Sequence, residues 1–153
     1  MKNVIALLFW FAVSFSAGWF GSQFKPGAWY ASLQKPNWTP PPLAFPIAWA
    51  ILYALMSVAA WVVWGKRGED SSVRIALLFF LIQLVLNALW SWIFFGRHQM
   101  GWAFIEMSGL WLVVAATLYF FWRINSTAGI LLIPYLFWIS FAAILNWAIW
   151  KRN

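Results

Sequence analysis

"WYASLQKPNWTPPPLAFPIAW" occupies residues 29–49. Five prolines (Pro36, Pro40, Pro41, Pro42 and Pro46) stand among five aromatics (Trp29, Tyr30, Trp38, Phe45 and Trp49). Proline fixes φ and lacks an amide hydrogen, so no regular helix is expected through this stretch. The text on both sides is oily and helix-like. Residues 25–42 are therefore read as a long ordered connection between two apolar spans. The other connections, 65–74, 96–99 and 123–127, are shorter. Long ordered loops are usually lids or binding loops.

Of the 153 residues, 65% are hydrophobic, 22% aromatic and only 8% charged. A soluble domain carries about 25% charged residues. So few charges cannot coat a water-facing globule, which makes lipid the solvent for most of the surface. The net charge of +7 comes from basic residues flanking apolar segments. Such residues are membrane-surface anchors, and no nucleic-acid partner is expected. With no cysteine, there is no disulfide, thiolate metal site or cysteine nucleophile. The three acids and the single histidine, His98, are scattered, so no metal site is expected. No phosphate-binding loop or Ser/His/Asp order points to hydrolysis.

Apolar stretches near the ~20 residues needed to cross a bilayer run over 4–24, 43–64, 75–95, 100–122 and 128–150. Porin strands would alternate in polarity, and these do not. The fold class expected is an all-α integral membrane protein, with five transmembrane helices in one bundle (residues 1–153) and a long loop after helix 1. Trp64, Trp102, Trp122 and Trp150 fall near span ends, as an interfacial aromatic belt requires. The first seventeen residues also resemble a signal peptide. The apolar run continues past Ala17 through Trp19 and Phe20, which favours an uncleaved first span. Lys2, Lys66, Arg67, Arg74 and Arg123 fall on one side and Lys25, Lys35, Arg97, Lys151 and Arg152 on the other. That tie gives no orientation by the positive-inside rule.

Gln83, Asn87 and Ser91 lie at i, i+4 and i+8 of the third span, forming one stripe. An amide left unpartnered in hydrocarbon costs about 1–3 kcal/mol, so the stripe must face protein or a cavity. Two readings stand open: helix–helix bonding, or the polar edge of a ligand pocket. The second span answers with Phe45, Trp49, Tyr53 and Met56. Such large rings hold helices apart where small residues would let them close. The fifth span presents Tyr135, Trp138, Ala142 and Asn146 on one face. Pro134 either bends that helix or resets its first turn. Glu106, inside the fourth span, is a functional candidate as an intramembrane carboxylate. His98 is read as a solvated turn residue. In the first span Ser14, Gly18 and Ser22 make a small-residue face, read as a homodimer contact with internal packing as the alternative. Trp29, Tyr30 and Trp38 are expected to turn down as a lid over a pocket walled by Trp49/Tyr53, Gln83/Asn87/Ser91 with Trp90, and Trp138/Ala142/Asn146. The alternative is a loop lying in the headgroups.

"WYASLQKPNWTPPPLAFPIAWAILYALMSVAAW" resembles the signature of the tryptophan-rich sensory protein family, whose animal members are called translocator protein or peripheral benzodiazepine receptor. The resemblance continues through "QLVLNALWSWIFF", "GWAFIEMSGLWLVVA" and "PYLFWISFAAILNWAIW", and so covers nearly the whole chain. It implies five transmembrane helices, often a homodimer, and a pocket closed by the first loop. It also implies binding of porphyrins such as protoporphyrin IX and of synthetic aromatic ligands. Some bacterial members are reported to promote light- and oxygen-dependent porphyrin breakdown. Trp49 and Trp138 match the family's pocket tryptophans, Asn87 its third-helix amide, Trp38 its loop tryptophan and Glu106 its fourth-helix acid. On this resemblance Trp49 and Trp138 are the candidate catalytic residues, no cofactor is required, and a porphyrin is ligand or substrate. Cholesterol is not claimed as a partner, because Trp147 stands where animal members carry a tyrosine, and a loose Val114…Tyr119…Arg123 match is weak. A bacterial membrane is the expected location. Two rival classes remain: a transporter, which the lack of an internal half-repeat weakly opposes, and a ligand-responsive sensor acting through a partner.

Overall fold

The computed structural model describes residues 2–153. Its helices are α1 (Lys2–Ser22), a short α2 (Gly27–Ser32), α3 (Ala44–Gly65), α4 (Val73–Ser91), α5 (Met100–Ile124) and α6 (Ser126–Arg152). The end of α4 widens into a π-turn over Trp92–Gly96, where the Arg97 amide reaches back to the Trp92 carbonyl at 2.8 Å. Five of the helices are long and apolar enough to cross a membrane. No end differs from the expected spans by more than two residues.

The five long helices close into a ring. α1 packs on α3 and α4, α3 on α6, α6 on α5, and α5 back on α4. The ring is apolar outside, and its largely apolar interior also takes in the few polar side chains of the spans. Phe137 is 73% exposed, whereas Gln83 is 1% exposed. Ser14, Ser57, Asn87, Thr117 and Asn146 are buried as well. Water would reverse this arrangement. Hydrocarbon enforces it, because a polar group there must find a partner inside the protein. The main core gathers Met56, Phe80, Met107, Leu110, Phe121 and Ile139. A second cluster of Phe94, Ala103, Leu145 and Ile149 lies under the first loop, with Trp29, Tyr30 and Leu33 packed on it.

Several local expectations are corrected. The loop is not wholly non-helical: residues 27–32 form α2, because that interval between Pro26 and Pro36 is free of proline. Gly27 enters it at φ 59, a left-handed conformation that glycine adopts without cost. The connection read as 123–127 shrinks to Asn125 alone. Its side chain accepts a hydrogen bond from the Ala128 amide at 3.2 Å and caps α6. This hairpin is so tight that a Cβ on Gly129 would lie 2.8 Å from the Trp122 backbone. Pro134 sits inside α6, past its first turn, so it does not reset the helix start.

The small-residue face of α1 contributes to internal packing, the alternative raised above. Ser14 is fully buried. A Cβ on Gly18 would come within 2.6 Å of the Tyr53 ring. These two residues let α1 approach α3, with Ser14 buried and Gly18 half-buried. Ser22 is exposed, with its hydroxyl bonded back to the Trp19 carbonyl at 2.7 Å. Gly18→Ile should therefore push Tyr53 aside and destabilise the monomer by about 1–3 kcal/mol, read as a lowered unfolding midpoint in micelles. Unchanged stability with an altered oligomeric state would restore the outward-facing reading.

Candidate functional site

Helical spacing brings Phe45, Trp49 and Tyr53 of α3 to the seam with α6. There Trp49 stacks on Tyr53 at 5.5 Å and 29°. It meets Tyr135 edge-on at 6.2 Å and Trp138 at 6.4 Å. Trp138 also contacts Phe45 at 6.0 Å and Phe141 at 5.7 Å. Trp38 descends from the loop onto Phe141 at 5.9 Å. Edge-to-face pairs of this kind contribute about 0.5–1.5 kcal/mol each beyond area burial. The result is a cluster of rings drawn from the loop, α3 and α6.

Beneath the rings lies a chain of hydrogen bonds. Tyr53 donates its hydroxyl to Asn87 Oδ1 at 2.6 Å, and Asn87 Nδ2 donates to the Tyr135 oxygen at 3.0 Å. Tyr135 donates onward to Gln83 Oε1 at 2.7 Å, and Gln83 Nε2 points at Met56 Sδ at 3.6 Å. The amides thus turn inward, as the stripe requires, but they meet two tyrosines and a thioether rather than a hollow. Ser91, the third stripe member, sits against α1, where a Cβ on Gly21 would lie 3.0 Å from its hydroxyl.

Asn146 joins a different group. It accepts from Trp90 Nε1 at 3.0 Å and donates to the Met100 carbonyl at 2.9 Å, tying α6 to α4 and to the start of α5. Ala142 packs at the fringe of the main core. Two cavities open elsewhere. One of about 640 Å³ lies on the outer α5–α6 face against Trp111 and Trp147. Another of about 200 Å³ lies between α1 and the end of α3.

The first loop divides in two. Trp29 stacks on His98 at 4.0 Å, and Tyr30 packs on Phe94 and Phe95. His98 is thus a clamp on α2 as well as an exposed turn residue. Burial raises the Tyr30 phenol above its ordinary pKa. The other half carries Trp38 and is clasped by Asn153. That side chain accepts from the Gln34 amide at 2.9 Å and donates to the Gln34 carbonyl at 3.0 Å. Lys35 Nζ folds onto the Tyr30 and Leu33 carbonyls at 2.7 and 3.1 Å. Trp29 and Tyr30 therefore cover the second core cluster, and only Trp38 reaches the rings around Trp138.

Trp138 Nε1, both Glu106 oxygens, Trp10 Nε1 and Ser14 Oγ are buried without a hydrogen-bond partner, and of these Trp138 Nε1 is the one within the ring cluster. Among the described residues no three metal-ligating side chains converge. What the cluster offers chemically is flat apolar ring surface, one free indole N–H and no general base. Sequence reasoning missed Phe141, which follows Trp138 by one helical turn and could have been added to that face. It also missed Asn153, whose pairing with a loop peptide has no local signature. Tyr135→Phe should cost about 1–3 kcal/mol, because it strands both Asn87 and Gln83. Chemical unfolding in detergent measures it, and a change near zero would mean that the amides readily find other partners.

A family model described as the TspO/MBR family matches residues 6–151. The chain is 40% identical over 144 residues to "Protein CrtK" of Rhodobacter capsulatus, covering 94% of this chain and 90% of that one. It is 41% identical over 133 residues to a "Tryptophan-rich sensory protein" of Cereibacter sphaeroides, covering 87% and 82%. Likeness to the "Translocator protein" of Homo sapiens is 38% over 150 residues, covering 94% and 88%. Five apolar helices, an inside-out distribution of polarity and this end-to-end match make the chain an integral, multi-pass membrane member of the TspO/MBR family.

Proposed function

We propose that the protein binds tetrapyrroles of the protoporphyrin IX type at the ring cluster of Trp38, Phe45, Trp49, Trp138 and Phe141. The observation that carries this reading is the Trp138 indole N–H, buried among aromatic faces with no acceptor. A donor left unmatched in a native interior calls for an explanation, and a ligand acceptor supplies one. The surrounding rings offer the stacking surface that a flat pigment needs. In the unliganded state the rings touch one another, so binding requires Trp38 and its half of the loop to lift. Lys35 is occupied with loop carbonyls. Arg97 lies over the Trp92 ring at 5.6 Å, and Lys25 is exposed. These two cations are the better candidates to meet the propionates.

The same site accommodates photochemistry without an acid or base. A bound porphyrin absorbs light; the excited pigment takes an electron from Trp49 or Trp138 and passes it to molecular oxygen, or the indole traps the reactive oxygen that the pigment sensitises. A homodimer remains compatible with this function through a face other than the inward side of α1.

Titrating the purified protein with protoporphyrin IX while following tryptophan quenching tests the site. Trp138→Phe keeps the ring surface and removes the N–H, and is expected to weaken binding by about tenfold, the equivalent of one ~1.4 kcal/mol hydrogen bond. Equal affinity in the Trp49→Phe/Trp138→Phe double variant would place the ligand elsewhere. Under illumination, equal pigment loss by that variant and the wild type would remove the photochemical role and leave binding intact. Asn153→Ala, which frees Gln34, should speed association in stopped-flow mixing. Unchanged kinetics would mean that the loop does not gate the rings.

A further inference from the structure

The cavity of about 200 Å³ lies at the end of the bundle opposite the first loop, with Asn3, Ala6, Trp61, Val62, Trp64 and Arg67 on its walls. Asn3 begins the first membrane-crossing segment, and the second ends at Gly65. The cavity is therefore placed where hydrocarbon gives way to headgroups. Trp61 Nε1 donates to the Asn3 carbonyl at 2.9 Å and pins α1 to α3 across its floor. Arg67 donates one N–H to the Trp64 carbonyl at 2.9 Å, and its guanidinium lies over the Trp64 ring at 4.6 Å. Its remaining N–H groups make no hydrogen bond among the described residues.

The nearby acids are engaged. Glu69 pairs with Lys66 at 2.9 Å. Asp70 accepts from the Ser72 hydroxyl at 2.6 Å and the Ser72 amide at 2.8 Å, which holds its carboxyl below the usual range. Glu69 thus cancels Lys66, and Asp70 stays charged but turns to Ser72, which leaves Arg67 as a cation at the mouth with no ion pair among the described residues, while Ala6 and Val62 give the cavity an apolar side.

We infer that this cavity is a site for a phospholipid of net negative headgroup. The phosphate oxygens receive the free edge of the Arg67 guanidinium, in the forked geometry that suits phosphate better than an ammonium would. Below the headgroup, Ala6 and Val62 give the start of the acyl chain its apolar contact. Choline lipids carry the same phosphate but also a cation. Trp64, the aromatic face that would seat a quaternary ammonium, is already covered by Arg67. The discrimination is therefore for anionic over zwitterionic lipid.

Native mass spectrometry of the full chain, released from bilayers of equal phosphatidylglycerol and phosphatidylcholine, reads the site directly. One phosphatidylglycerol should be retained several-fold in preference to phosphatidylcholine. Arg67→Gln should abolish the preference, and Arg67→Lys, which keeps charge but loses the fork, should retain part of it. Arg123→Gln, at the same end of the bundle but outside the cavity, should leave it unchanged. Adding inorganic phosphate should not displace the lipid, since the acyl chain contributes to holding it. Equal retention of the two lipids, an undiminished preference in folded Arg67→Gln, or displacement by phosphate alone would each overturn the assignment.

Discussion

The bundle depends on hiding polar groups from hydrocarbon. The chain from Tyr53 through Asn87 and Tyr135 to Gln83 joins α3, α4 and α6 with three short hydrogen bonds. In a bilayer there is no gain from burying leucine against leucine, since lipid is equally apolar. Register must come from packing shape and from bonds of this kind. Each amide could satisfy itself nowhere else at that depth. The same constraint orders the periphery: Gly18 is glycine because Tyr53 must lie against α1 to reach Asn87.

Much of this was legible in the sequence. Five apolar runs gave five helices, since length and polarity alone decide what crosses a membrane. The Gln83/Asn87 stripe could only face inward. What one chain's periodicity does not hold is the partner of each face. By spacing, Gln83 and Asn87 suit helix–helix bonding or the edge of a hollow, and the hydroxyls of Tyr53 and Tyr135 fill the place a hollow would take. The small face of α1 fits a second copy or α3 equally well by spacing, and only the position of Tyr53 decides between them. Asn153 and Gln34 are 119 residues apart, and nothing local marks either as a clasp. His98 looked like a plain turn residue, because stacking on Trp29 depends on how α2 folds back.

The loop acts as two structures with different attachments. Its α2 half is bound by aromatic contacts to the end of α4 and to His98. Its second half is stiffened by prolines and held to α6 through one asparagine and one ring pair, Trp38 on Phe141. Proline lowers the freedom of a released segment, so such a strap can leave and return without becoming disordered. The two halves are joined by Lys35, which folds onto the Tyr30 and Leu33 carbonyls, so the α2 half that covers the second core cluster is also the anchor of the Trp38 half.

The buried Trp138 N–H and the satisfied tyrosine–amide chain lie next to each other but differ in kind. The amide chain closes on itself, so a ligand that broke it would have to replace every bond lost. The indole donor is already unmatched, so a ligand acceptor there would gain a bond that offsets part of what lifting the Asn153–Gln34 clasp costs. The energetically favoured contact is therefore above the network, among the rings of α3, α6 and the loop. The tyrosines and amides form the floor under the rings of Trp49 and Trp138, and under the proposed binding the spacing of Trp49, Trp138 and Phe141 would set selectivity among flat ligands.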